Sequence, residues 1–127
     1  MSAGFGLSSP GEATLPCTWI SLLRGRVRCS LAASTGVETA ADVASYLLAG
    51  ADVVMTTSAL LRHGPGYAAT LLDGLRAWLE RKGFASVTEA RGLLSAEAGH
   101  PILGRAGYLS ALDQAARAFG RPAGECQ

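Results

Sequence analysis

Apolar and polar positions along the chain alternate between a helical and a strand period, and the switches define the elements. Trp19, Ile20, Leu22 and Leu23 cluster before Arg24-Gly25-Arg26, which predicts a short amphipathic helix ending at Gly25. Val27 to Ser34 (VRCSLAAS) alternates and then turns apolar, as a buried strand would. Thr35-Gly36-Val37-Glu38 follows as a turn. Thr39, with Asp42 three positions on, fits a helix N-terminus, and Val43, Tyr46 and Leu47 continue that helix to Gly50. Asp52 to Thr56 (DVVMT) is short and β-branched, the pattern of a buried parallel strand.

Thr57-Ser58 opens another helical turn, broken at His63-Gly64-Pro65. Tyr67, Thr70, Leu71, Leu75, Trp78 and Leu79 then recur at steps of three and four. They predict a helix to about Lys82, closed by Gly83, with Arg81 and Lys82 in the last turn where cations are favoured. Ser86 and Glu89 have capping-box spacing, predicting a short helix through Leu94. Residues 95–103 read as a loop. Arg105 to Phe119 reads as a last helix with Tyr108, Leu109, Leu112 and Ala116 on one face. Residues 1–16, rich in Gly, Ser and Pro, read as a flexible leader, and residues 120–127 as a disordered tail.

The succession strand, glycine turn, helix, strand is a minimal βαβ unit, so the class is α/β with a parallel sheet. Two strands alone cannot cover both faces of such a sheet. Composition narrows the picture. Hydrophobic residues make up 49% and the net charge is +1, which excludes a disordered chain. Eleven basic against ten acidic residues leave no charge excess for a nucleic-acid footprint, so no nucleic-acid partner is expected. The longest apolar run, Tyr46 to Met55, is cut by Asp52 and is too short to cross a bilayer, so no membrane association is expected either. Cys17, Cys29 and Cys126 are odd in number and lack CxxC spacing. Reduced thiols in a cytoplasmic protein are the simplest reading.

Chemistry concentrates at the strand ends. The first strand carries Ser34-Thr35-Gly36 to its C-terminal edge, and the second carries Thr56-Thr57-Ser58 to the same edge. Amides at such turns attract anions, and Gly36 permits close backbone approach. Thr35, Gly36, Thr57 and Ser58 are therefore candidate phosphate ligands, although ordinary turn and cap chemistry uses the same residue types. No metal-ligand spacing involves His63 or His100, and His63 reads as a helix-end or surface residue. Glu38 lies beside the candidate site, but one carboxylate makes no acid–base pair. Asp42 and Asp73 read as cap or helix-surface acids, Cys29 as a small core residue, and Trp19 and Trp78 as packing residues. Arg24, Arg26 and Arg28 read as a solvated basic cluster.

From about Leu15 to Leu112 the chain resembles the C-terminal portion of dihydroorotate dehydrogenase-like (class 1 type) proteins, FMN-dependent (β/α)8 barrels. The resemblance is carried by Trp19-Ile20 through Gly25-Arg26-Val27, by Leu31-Ala-Ala-Ser-Thr35-Gly36-Val-Glu-Thr39 with Asp42-Val43, and by Leu47-Leu-Ala-Gly50-Ala-Asp52-Val-Val-Met-Thr-Thr57-Ser58-Ala-Leu60. His63-Gly64-Pro65, Leu72-Asp-Gly-Leu75, Trp78-Leu79, Gly83-Phe84-Ala-Ser86-Val, Arg91-Gly92 and Arg105-Ala-Gly-Tyr108-Leu continue it in order.

The resemblance implies that the two strands are the seventh and eighth of a TIM barrel, in a segment spanning 17–119 with a helix-rich C-terminus. It also implies that Thr35, Gly36, Thr57 and Ser58 hold the phosphate of FMN largely through backbone amides. Many relatives have Gly-Gly at the first place and Gly-Thr at the second; Thr35 keeps a donating amide, whereas the Thr57 side chain would crowd the phosphate if the backbone stayed unchanged. The family's catalytic base, flavin-side lysine and orotate-binding asparagines have no counterpart here, so no catalytic residue is assigned. A complete barrel takes about 250 residues, and this chain has 127. The implied activity, oxidation of a dihydropyrimidine such as dihydroorotate with hydride passing to the flavin in pyrimidine biosynthesis, would belong to a larger protein. The alternatives are a non-catalytic half-barrel module completed by a partner or homo-oligomer, and a fragment of another phosphate-binding barrel, for a sugar phosphate.

Overall fold

The computed structural model describes residues 6–96. A 3-10 turn over Pro10–Ala13 runs directly into helix α1, Thr14–Leu23. Segment 10–16 is thus helical where the sequence suggested a leader. Proline explains the difference: Pro10 starts the 3-10 turn, and Pro16 stands in the first turn of α1, where a missing N–H costs nothing. The helix stops at Arg24 and Gly25, whose φ of 81° reverses the chain.

Strand β1 is Ala32–Ala33, helix α2 is Ala40–Ala49 and strand β2 is Val53–Val54. The strands pair in parallel, Ala32 opposite Val53 and Ala33 opposite Val54. The βαβ unit is as expected, but its strands are shorter. Val27 to Ser30 alternates like a strand yet has no pairing partner among the described residues, so it runs free and Cys29, expected in the core, is exposed.

Helix α2 begins with the full capping box: the Thr39 hydroxyl accepts from the Asp42 amide, and the Asp42 carboxylate accepts from the Thr39 amide at 2.7 Å. It ends at Gly50, with φ of 118°. Helices α3, Ser58–His63, α4, Tyr67–Lys82, and α5, Val87–Ala90, follow. Gly83 closes α4 in the left-handed conformation, as its position suggested. Ser86 caps α5 as expected, but Glu89 reaches one residue farther back, to the Ala85 amide, and the helix stops at Ala90 instead of Leu94.

The core lies between α1, α2 and one sheet face: Ile20, Leu31, Ala33, Val37, Tyr46, Ala49 and Ala51. Helix α4 packs on α2, and Gly74 lets it do so closely: a methyl group on Gly74 would come 2.7 Å from Ala40 Cβ. The other sheet face is open, and Val53 is 52% exposed. Trp78 stacks on Phe84, as a packing residue should. Trp19 departs from that expectation and is 56% exposed. The expected helix over 105–119, His100, Cys126 and the tail lie outside the described residues. No helix among the described residues is long and apolar enough to cross a membrane.

Candidate functional site

Parallel pairing delivers both strands to the same edge, and the turns that follow are stitched together there. Thr56 Oγ1 donates to Val37 O at 2.8 Å, and the Met55 amide donates to Ala33 O at 2.8 Å. Thr35 and Gly36 lie on one turn, Thr57 and Ser58 on the neighbouring one. Among the described residues, no protein acceptor takes the amides of Thr35, Gly36, Thr57 or Ser58. Open amides on two joined turns can hold an anion such as a phosphate, although the first amides of any helix, here those of Thr57 and Ser58, also stand open.

The first turn is strained. Thr35 has φ of 83°, the one non-glycine described residue with positive φ, and Gly36 follows at 69°. A β-branched residue in this region costs about 1–2 kcal/mol. Tyr46, 1% exposed, holds the turn from beneath, its hydroxyl donating to Thr35 O at 2.8 Å and sharing Ser34 O at 3.0 Å. Burial pushes the Tyr46 phenol up from its usual pKa, so it stays a donor. At the second turn Thr57 has φ of −120°. The glycine-like positive φ therefore lies at Thr35 and not at Thr57.

A third stretch of chain converges on the same place. A methyl group on Gly36 would lie 2.7 Å from Ala13 N and 2.9 Å from Ser9 O, so the 3-10 turn packs against it. Ser8 Oγ and Ser58 Oγ share a hydrogen bond of 2.8 Å. Either hydroxyl can be the donor of that bond, and the Thr35 and Thr57 hydroxyls make no hydrogen bond among the described residues. Arg62 donates to Ser8 O at 2.7 Å and to Glu38 Oε2 at 2.6 Å.

Glu38 ties the first turn to the end of α3 and the start of α4. Its Oε1 lies 2.6 Å from His63 Nε2, and its carbonyl accepts from the Tyr67 hydroxyl at 3.1 Å. The hydrogen bond to His63 foremost, and then that of Arg62, holds the Glu38 carboxyl below the usual range. His63 does end α3, as expected, with its ring 4.4 Å from that of Tyr67. The Glu38–Arg62–His63 group was not evident in the sequence, where its members stand 24 and 25 positions apart.

The opposite end of the sheet carries the other ionic group. Asp52 accepts from the Leu31 amide at 2.9 Å, from Arg24 at 3.2 Å and from Arg91 at 3.1 Å. The Leu31 amide foremost, with Arg24 and Arg91, lowers the Asp52 pKa. Arg24 also donates to Gly50 O at 3.3 Å, so it is a tie between elements and not part of a solvated cluster. Asp42 is the cap acid expected, and Asp73 pairs with Arg76 on the surface of α4. Among the described residues, no group of three or more His, Cys, Asp or Glu side chains could hold a metal ion.

No family model matches the chain. It is nevertheless similar to curated dehydrogenases. Over 88 residues it is 31% identical to the catalytic subunit of dihydroorotate dehydrogenase B (NAD(+)) of Pyrococcus furiosus, covering 69% of this chain and 29% of that protein. Over 75 residues it is 40% identical to dihydroorotate dehydrogenase (quinone) of Streptomyces griseus, covering 58% of this chain and 20% of that one. Over 63 residues it is 33% identical to chloroplastic dihydropyrimidine dehydrogenase (NADP(+)) of Arabidopsis thaliana, covering 50% of this chain and 15% of the relative. The resemblance to dihydroorotate dehydrogenases is thus a property of the chain, and the family it resembles is one of oxidoreductases. The chain spans less than a third of the length of each of these relatives.

Proposed function

We propose that this chain supplies the cofactor-phosphate end of a dihydroorotate dehydrogenase-like flavin oxidoreductase. One observation carries the reading: two turns at the C-terminal edge of a parallel sheet present the amides of Thr35, Gly36, Thr57 and Ser58 without protein acceptors, in a chain similar to dihydroorotate dehydrogenases. The residues fit a phosphate. The four open donors are main-chain amides, and no carboxylate accepts from any of them; the nearest carboxylates, Glu38 and Asp42, are engaged by Arg62 and His63 and by the Glu38 and Thr39 amides, respectively. Phosphate loops after the last two strands of a (β/α)8 barrel have this placement.

Thr35 and Gly36 would hold one side of the FMN phosphate and Thr57 and Ser58 the other. Tyr46 fixes the first turn from below, the Thr56 hydroxyl joins it to the second, and Glu38 with Arg62 and His63 ties it to the end of α3. Bound there, FMN supplies the hydride acceptor for oxidising a dihydropyrimidine such as dihydroorotate. That reaction belongs to a larger cytoplasmic protein, because the chain contributes about two of eight strands and none of the substrate contacts. The isolated chain binds FMN weakly and is inactive.

Titration with FMN and with riboflavin, which lacks the phosphate, tests this. FMN is expected to bind at least about tenfold more tightly. Equal affinity would overturn the reading, as would reduction of FMN by dihydroorotate with this chain alone.

A second reading is favoured by the open sheet face. Val53 and Met55 are 52% and 49% exposed, and both strands are two residues long. A half-barrel module that covers this face with a partner subunit or a second copy would account for it. Sedimentation showing a stable folded monomer at micromolar concentration would exclude that module.

A further inference from the structure

A groove of about 510 Å³ runs between α1 and α2, floored by Ala13, Cys17, Ala49 and Tyr46 and flanked by Thr18 and Ser45. Apart from Thr14, its hydroxyls are already committed, and the Asp42 carboxylate on its rim accepts from the Glu38 and Thr39 amides. Thr18 donates to Thr14 O, Ser45 to Ala41 O, and Tyr46 to the Thr35 turn. The Cys17 thiol points to Ser45 O at 3.7 Å. Side chains that bond their own helix in this way present methyl and methylene groups outward. The groove therefore suits an apolar occupant and offers little to a polar ligand.

The chain itself leads there. Leu94 lines the groove, its amide donates to Leu48 O at 2.9 Å, and its carbonyl accepts from the buried Ser21 hydroxyl at 3.3 Å. Residues 92–95 are thus tied across both helices at the groove's end, and residues 97–127 follow. Residues 97–104 can span up to about 28 Å, nearly twice the roughly 15 Å length of α1 or α2. The stripe Tyr108, Leu109, Leu112 and Ala116 then lies within reach, on a segment whose periodicity predicts a helix.

We propose that residues 105–119 seat this stripe in the groove between α1 and α2. The inference is independent of the flavin reading, since the groove lies on the helical face of the sheet and not at its C-terminal edge.

Cys17 makes the groove measurable. In the full chain carrying Cys29→Ser and Cys126→Ser, maleimide labelling of Cys17 is expected to be at least about tenfold slower than in the same chain with Leu109→Asp and Leu112→Asp. Equal rates in two folded chains would overturn the proposal. If the double aspartate variant fails to fold, cross-linking decides. Leu112→Cys or Ala116→Cys, placed singly in the same background, is expected to join Cys17 within one chain through a short bis-maleimide, while Gln114→Cys on the opposite helix face is not. Cross-links only between chains would assign the groove to a second copy and overturn the proposal, as would no cross-link at either stripe position.

Discussion

Thr35→Gly should stabilise the protein, an unusual sign for a substitution at a proposed ligand site. Thr35 holds φ of 83°, and its hydroxyl makes no hydrogen bond among the described residues, so little is lost with the side chain. Relieving the left-handed strain of a β-branched residue returns about 1–2 kcal/mol. Glycine loosens the unfolded chain, which takes back about 0.5–1 kcal/mol. The net gain is about 0.5–1 kcal/mol, or roughly 2–8 °C in Tm for a domain of this size. Thermal unfolding followed by far-ultraviolet circular dichroism, with urea unfolding as a second measure, checks it. A Tm unchanged or lowered would show that Thr35 is not strained and that the geometry given for the first turn is wrong.

Other expected outcomes follow from the same contacts. Tyr46→Phe leaves the Ser34 and Thr35 carbonyls without their donor and should lower stability by about 1–2 kcal/mol in urea unfolding, with Thr35→Gly softening the loss in a double-mutant cycle. Gly36→Ala pushes a methyl into the Ser9–Ala13 backbone at positive φ, and should cost about 2–3 kcal/mol and abolish FMN binding. Asp52 and Glu38 both have lowered folded pKa values. Their contribution is complete above the usual carboxylate range and is lost as pH falls through the folded values. Asp52→Asn with Glu38→Gln should therefore flatten the acid limb of a stability–pH curve, and a limb of unchanged steepness would contradict the pairing described.

Local punctuation was the legible part of the sequence. Thr39 with Asp42, Gly50 and Gly83 mark helix ends by chemistry contained within four residues, and each does what its spacing suggested. The pair of strand-end turns was legible too, because a βαβ unit sends both strands to one edge. What could not be read depends on distance. Asp52 appears in sequence as a polar interruption of an apolar run, yet it collects Arg24, Arg91 and the Leu31 amide from 28, 39 and 21 positions away. Glu38 looked like a lone carboxylate because Arg62 and His63 reach it only after the helix folds back. Val27 to Ser30 alternates convincingly, but a strand needs a neighbour, and Cys29 is exposed for lack of one among the described residues.

The most direct measurement is an amide NMR titration of the chain with FMN, with riboflavin alongside. The account expects the amides of Thr35, Gly36, Thr57 and Ser58 to shift together with one saturation curve under FMN, and to stay put under riboflavin. Shifts confined to one turn, or spread over residues remote from both, would contradict a single phosphate held between them.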